Sequence, residues 1–432
     1  MPPAQAPTLT DDAPPQPAIR LRACRGCGLV QRVPPLARGA IAECPRCGTV
    51  LSRRRSDPSD RALAMALTGL FLFLIATQMP FIDIDLRGRQ RITTLITGPM
   101  ELEQHGLWEL AIVVLITTVG APLAKLAAMV WVLIGVRLEH PPRHLLAVFR
   151  WIELVSPWAM VEVFLLGVFV AYTKLVDLAA VRLDGAVYAL GGLMLAMAAA
   201  DIALDRERVW SALQRKGVTA APVHPLEAAA TATPAARATL IGCDSCGLVS
   251  HPIPLCPRCG GALQRRKTNS LTRATALVLA AAVLYIPANV LPVMTVISFG
   301  QGQPSTILSG VEQLAGAGMW PLAALVFFAS ITVPVLKLLG MAWLLISTRR
   351  GRRAGLRQRT ALHRALDFIG RWSMIDVFMV SILTALVRMG ILASVYPGPG
   401  LISFCSVVIL TMISAMCFDP RLMWDNAEHR AA

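Results

Sequence analysis

Eight stretches of this chain are apolar over the length of a membrane crossing, and that limits what it can fold into. They run over 62–82, 107–135, 151–172, 185–204, 272–293, 319–346, 368–389 and 400–418. At about 1.5 Å per residue, roughly 20 helical residues cover a hydrocarbon core of about 30 Å. Water cannot satisfy backbone N–H and C=O groups inside that core, so each stretch must be a helix. Composition agrees, because 55% hydrophobic residues and a mean hydropathy of +0.59 leave a soluble chain too much apolar surface to hide. The second and sixth stretches are longer than a crossing needs, which predicts tilt or extension beyond the bilayer.

The net charge of +15 is distributed by side. Arg and Lys number ten up to Arg61, three over Arg137–Arg150, nine over 205–272 and eight over Arg349–Arg371. The alternate loops hold three (Arg87, Arg89, Arg91), two (Lys174, Arg182), none and none. This asymmetry predicts that the basic loops and both termini are cytoplasmic. It also accounts for the charge through anionic headgroups, without nucleic acid as a partner. The first nineteen residues are rich in Pro and Ala and hold no apolar core. They predict a disordered tail and no cleaved signal peptide.

Eight of the ten cysteines form two quartets, each just before four of the apolar stretches. Cys24-x2-Cys27 is followed after sixteen residues by Cys44-x2-Cys47. Cys243-x2-Cys246 is followed after nine by Cys256-x2-Cys259. Glycine follows each pair (Gly28, Gly48, Gly247, Gly260), which suits a tight turn presenting two sulfurs to one tetrahedral metal. Four thiolates leave no open coordination position, so two structural zinc sites are expected, in a reducing compartment. A zinc-thiolate redox sensor or membrane thiol oxidoreductase is the alternative that four Cys-x-x-Cys pairs, with Cys405 and Cys417, keep open.

The chain is also an internal repeat. Shifted by 212, Thr93–Gly98 falls on Ser305–Gly310, Gly106-Leu107-Trp108 on Gly318-Met319-Trp320, and Pro122 with Lys125 on Pro334 with Lys337. Shifted by 214, Trp158, Glu162 and Phe164 fall on Trp372, Asp376 and Phe378. With four crossings per copy, the copies enter the membrane in the same direction. The expected fold is therefore an all-α polytopic membrane protein, two parallel repeats of four transmembrane helices, each preceded by a small cytoplasmic zinc ribbon. The boundaries read as tail 1–19, ribbon 20–56, membrane domain 57–210, linker 211–240, ribbon 241–266, membrane domain 267–420 and cytoplasmic tail 421–432, the linker being flexible from about 217.

Charges within the apolar stretches are the other candidate sites. Lys125 lies twelve residues before Arg137, and Glu162 twelve after Arg150 on a helix running the other way. Lys337 and Asp376 stand in the same relation to Arg349 and Arg364. Each is about 18 Å from its basic landmark, so a Lys–carboxylate pair across each hairpin is expected. An unpaired charge at the bilayer centre costs at least about 2.5–3.5 kcal/mol. Such a pair either fixes hairpin register or couples protonation to movement. Pro287 and Pro292 flank Asn289 in the fifth crossing, which predicts a kinked helix end. The alternating hydroxyls of Thr93–Gly98 and Ser305–Gly310 predict short strands on the far side. No P-loop, nucleophile elbow or His-Glu-x-x-His is present, and no active site is expected.

These quartets, the duplicated four-helix block, the Pro-x-x-Lys-Leu and Trp-x-Met-x-acid-Val-Phe elements and Pro287-Ala-Asn289-x-x-Pro292 together resemble the paraquat-inducible protein A family, in its tandem form, over about 20–420. The resemblance implies a bacterial inner-membrane protein. Its partner would be an extracytoplasmic MCE-domain protein, and its cargo phospholipid, loaded or extracted without enzymatic turnover. On that reading Lys125, Glu162, Lys337 and Asp376 are coupling sites, driven by proton-motive force or a separate partner. The second half, with Asn289, Ser309 and Asp367 in addition, is expected to be the working one.

Overall fold

The computed structural model describes residues 20–37, 39–53, 58–86, 89–175, 180–223, 239–298, 301–386 and 393–429. The expected disordered tail, and the part of the expected linker from 224 to 238, lie outside the described residues.

The chain opens with two hairpins, β1 (Arg20–Ala23) with β2 (Val30–Val33) and β3 (Ile41–Glu43) with β4 (Val50–Arg53). The first repeat follows: α1 (Pro58–Gln78), β5 (Ile82–Leu86), β6 (Arg89–Thr93), α2 (Thr97–Gln104), α3 (Trp108–Leu115), α4 (Ala121–Gly135), α5 (Leu145–Val155), α6 (Val161–Leu175), β7 (Ala180–Leu183), α7 (Gly185–Ala203) and α8 (Arg206–Arg215). A short hairpin, β8 (Ile241–Gly242) with β9 (Val249–Ser250), begins the second half. The second repeat copies the first: α9 (Ser270–Val290), β10 (Met294–Ser298), β11 (Gln301–Ser305), α10 (Ile307–Gly316), α11 (Trp320–Phe327), α12 (Val333–Arg349), α13 (Leu356–Ile369), α14 (Ile375–Leu386), β12 (Ala393–Pro397), α15 (Pro399–Cys417) and α16 (Arg421–His429).

Eight helices are long and apolar enough to cross a membrane, at the eight expected places. The long second and sixth crossings join α3 to α4 and α11 to α12 through π turns at Ile116–Gly120 and Phe328–Thr332. Pro122 and Pro334 follow at once, and a proline that cannot donate to the preceding turn shifts the ladder there. The third and seventh crossings begin earlier than the sequence suggested, at Leu145 and Leu356. Both bend through a 3-10 turn, Ser156–Trp158 and Gly370–Met374. Much of the basic stretch 349–371 is therefore helix.

The fold is not wholly helical. In each repeat the two long far-side connections meet in a three-stranded antiparallel sheet, with β5 between β6 and β7 and β10 between β11 and β12. Ile82 pairs with Thr93 and Leu183, and Met294 with Ser305 and Pro397, so the sheets are built in the same register. Only the start of each hydroxyl-rich segment is strand, because Thr97 and Ile307 already begin helices.

Within each repeat the first and fourth crossings pack along their length, α1 on α7 and α9 on α15. The repeats meet where α6 crosses α14. A Cβ on Gly167 would stand 3.0 Å from that of Phe378, and Phe164 meets Phe378 edge-on at 5.6 Å. Every residue of α14 is buried, so it is the central helix of the molecule, whereas its counterpart α6 leaves Glu162 and Phe169 exposed.

Both repeats end in an amphipathic helix rather than a loose segment. The stretch 206–215 is α8, with Trp210 buried against Phe149 at 4.9 Å, and Ala221 is still hydrogen-bonded to Pro257. The expected tail from 421 is α16, held because Met423, Trp424 and Ala427 form its buried face.

Candidate metal centres and the intramembrane lysines

Each Cys-x-x-Cys-Gly turn is closed by the same backbone bonds. Gly28, Gly48, Gly247 and Gly260 donate to the carbonyls of Cys24, Cys44, Cys243 and Cys256, at 2.8 to 3.0 Å. All four glycines sit at φ between 70° and 79°, a region where a Cβ is strained. That turn points two thiols the same way. In both quartets all four Sγ atoms lie within 4.8 Å of one another and are buried. Cys24–Cys47 and Cys27–Cys44 are 3.4 and 3.6 Å apart, and Cys243–Cys259 and Cys246–Cys256 are 3.6 and 3.5 Å. A tetrahedron with metal–sulfur bonds of about 2.3 Å has edges of about 3.8 Å, so both quartets fit one divalent ion. Gly26 and Gly261 also donate to Cys24 and Cys259 Sγ at 3.4 Å, which favours the thiolate form.

The ribbons do not sit beneath the repeats they precede. The cysteines of ribbon 1 share a core with Met341, Leu344, Leu345, Phe418, Met423 and Trp424, all from the second repeat. Arg46 pairs with Glu428 and lies 4.5 Å over the Trp424 ring. Arg364 donates to the Gly48 carbonyl at 3.4 Å. Ribbon 2 is fixed to the first repeat, through Arg258–Glu207, Arg150 to the Cys259 carbonyl, and Ala221 to the Pro257 carbonyl. At the junction Arg22 reaches Glu207, and Arg421 bridges Asp244 of ribbon 2 and Asp419. Burial alone would raise the pKa of Asp419, but the hydrogen bonds and charge of Arg421 hold it below the usual carboxylate range.

The intramembrane charges are arranged differently from the expectation. Lys125, 4% exposed, donates to Asp201 on α7 at 2.6 Å and not to Glu162, which is exposed on the first turn of α6. The twelve-residue count assumed one unbroken helix from Arg150, whereas α5 ends at Val155 and Glu162 lies beyond a 3-10 turn, on the first turn of α6. Lys337 is 1% exposed, and its Nζ donates to Thr411 Oγ1 at 2.8 Å and to the Gly370 carbonyl at 3.4 Å. Asp376 is buried on the first turn of α14, outside ion-pair distance of Lys337 among the described residues. A cavity of about 230 Å³ opens beside Lys337 between the repeats, walled also by Asp367, Met412, Glu153 and Arg206. At about 30 Å³ per water it holds roughly seven.

The remaining candidates have local roles. Asn289 turns back on its own helix and donates to the Tyr285 carbonyl at 2.8 Å. Ser309 completes a capping box with Thr306 at the start of α10.

A family model described as Paraquat-inducible protein A matches residues 59–214 and again 271–428. The chain belongs to the paraquat-inducible protein A family. Among relatives, the Intermembrane transport protein PqiA of Escherichia coli K12 is 34% identical over 93% of this chain and 95% of its own. The Lipophilic envelope-spanning tunnel protein A of the same strain is 30% identical over 94% of this chain and 91% of its own. A Probable intermembrane transport protein of Haemophilus influenzae is 26% identical over 94% and 96%. No solved structure gives a significant match.

In this member of the paraquat-inducible protein A family, sequence reasoning missed three polar residues of the membrane core. Asp201 lay too near the end of its crossing to stand out. Thr411 reads as one hydroxyl among apolar neighbours. Ser330 lies in the π turn seven residues, two helical turns, before Lys337, and its buried hydroxyl has no partner among the described residues. Its counterpart Thr118 donates to the Val114 carbonyl at 2.7 Å. Ser330 could have been found from its seven-residue spacing to Lys337, whereas Thr411, on another helix, carried no such local signal.

Proposed function

We propose that this protein is the inner-membrane subunit of an MCE-type phospholipid transport system. It loads lipid into, or extracts it from, an extracytoplasmic MCE-domain partner, without enzymatic turnover, and its zinc ribbons lie in the cytoplasm. Transport is coupled to protonation in the second repeat, at Lys337 and Asp376. The names of relatives that match over nearly the whole chain support the transport reading. The observation that carries the coupling is the buried Lys337, held by a hydroxyl and a carbonyl beside a cavity with room for water. The Asp367 carboxylate lines the same cavity, so two ionisable groups face a space that water can enter, which is what a coupled site needs. The thiol-oxidoreductase alternative draws no support from the geometry. The eight ribbon thiols are closed into quartets, and Cys405 is buried twelve residues from Cys417.

The test reconstitutes the protein with its MCE partner in liposomes and follows transfer of a fluorescent phospholipid under an imposed proton gradient. Transfer that responds to the gradient and is abolished in Lys337→Met supports the proposal. Transfer by Lys337→Met at the wild-type rate, or no transfer by the intact pair, overturns it.

A further inference from the structure

Each ribbon packs its cysteine core on the repeat it does not precede. Arg22 and Arg25 of ribbon 1 also pair with Glu207 and Glu153, and Asp244 and Arg266 of ribbon 2 with Arg421 and Asp425. Both exchanges use the same device. Trp210 of α8 and Trp424 of α16 are equivalent at the repeat shift of 214. α8 receives ribbon 2 through Glu207 and Arg258, and α16 receives ribbon 1 through Glu428, Trp424 and Arg46. The ribbons also touch each other, since β1 packs on β8 and β9 and Arg25 donates to the Ser245 carbonyl at 3.4 Å.

The charges around the quartets point to what the exchange depends on. Four thiolates around one divalent ion carry two net negative charges. Guanidinium groups stand over the knuckles. A Cβ on Gly28 would lie 3.2 Å from Arg266 Nη2, and one on Gly48 3.2 Å from Arg357 Nη2. Gly247 is covered by Arg22 of the other ribbon, and Arg150 of the first repeat reaches the Cys259 carbonyl. Every one of these arginines comes from outside the ribbon it covers. Each is attracted by a loaded quartet and loses that attraction when the metal leaves, along with the knuckle fold that the metal holds.

We propose that the two metal centres form a metal-dependent clasp between the repeats, in which ribbon 1 locks the second bundle and ribbon 2 the first. The membrane interface at α6 and α14 then works as a hinge whose ribbon-side edge is closed only while metal is bound. This rests on the metal reading of the quartets and is independent of what the protein transports.

The experiment uses the full-length protein with a protease site inserted between 224 and 238. A benzophenone amino acid replaces Glu428 in one variant and Ala220, which faces Gly260 of ribbon 2, in another. After illumination and cleavage, a crosslink to the exchanged ribbon joins the two halves into one band on a denaturing gel. A crosslink within one half leaves two bands. The joined band is expected from both positions in the metal-loaded protein. It should fall to background once chelation has removed the metal, as confirmed by elemental analysis, while the bundles stay monodisperse in detergent. Two bands from the loaded protein would overturn the exchange. A joined band that persists undiminished in metal-free protein would overturn the metal dependence.

Discussion

Lys125 and Lys337 follow Pro122 and Pro334 by three residues and lie on equivalent helices, yet one is in ion-pair contact with a carboxylate and the other, among the described residues, is not. Lys125 donates to Asp201, whose side chain is 43% exposed, so that pair is complete and close to polar surroundings. The position equivalent to Asp201 in the second repeat is Ala415. Lys337 is left with Thr411 and the Gly370 carbonyl, beside a cavity and close to the fully buried α14. On the coupling proposed above, the first copy serves as a scaffold and the second keeps a polar core that is costly in a membrane. Such a cost is retained where a group works.

The comparison breaks most directly at the lysines themselves. Lys337→Met should abolish lipid transfer, and because it removes a buried cation held by neutral partners, the variant should melt no lower than wild type. Lys125→Met should transfer lipid at near the wild-type rate. Equal losses in both variants would mean that the repeats work alike. Copying the first repeat into the second sharpens the contrast: Ala415→Asp places a carboxylate in the Lys337 cavity, which should fix the lysine as a cation. Transfer should then fall at least about tenfold, the effect of about 1.4 kcal/mol, and lose its dependence on an imposed pH difference.

The terminal helices give a smaller, structural contrast. Trp424→Ala and Trp210→Ala should each cost about 3–5 kcal/mol. The first should expose ribbon 1 to limited proteolysis and the second ribbon 2, the reverse of what chain order suggests. Lys125→Met should lower stability by only about 1 kcal/mol, since Asp201 is left near water, as thermal unfolding in detergent would show. The smallest effect is one of pH. Asp419 has a folded pKa below its unfolded value of about 3.9, so its stabilisation is complete above that value. It is lost as pH falls through the lower folded value. Arg421→Gln should therefore weaken the ribbon-side contacts above about pH 4, and the difference from wild type should shrink as pH falls below that, measurable by crosslinking across a pH series.

The crossings, the repeat and the quartets were legible because each rests on local chemistry: apolar length, residue identity at a fixed shift, thiol spacing. The pairing of Lys125 was not, because depth along a helix can be counted from a charged landmark but the direction a helix faces depends on its neighbours. Asp201 on α7 meets Lys125 and Glu162 on α6 does not, a choice made by packing between helices. The exchange of ribbons was invisible for a related reason. The connections from Arg53 to α1 and from Arg266 to α9 are short, but ribbons that touch one another can reach either bundle. The choice is made by Arg46 with Trp424 and by Arg258 with Glu207, contacts between residues 378 and 51 positions apart. The small sheets were barely visible, since the hydroxyl-rich segments expected as strands meet β6 and β11 only at Thr93 and Ser305, and nothing in them marked β5, β7, β10 or β12.

The crossing of the ribbons also sets a timetable. Ribbon 1 is complete when the ribosome has passed Arg53, but Trp424 and Glu428, against which it packs, are made only after both bundles. At about 5–20 residues per second, the intervening 375 residues from Arg53 to Glu428 take roughly 20–75 s. Through that interval ribbon 1 waits without its binding surface, and the helix that receives it closes a loop spanning both bundles.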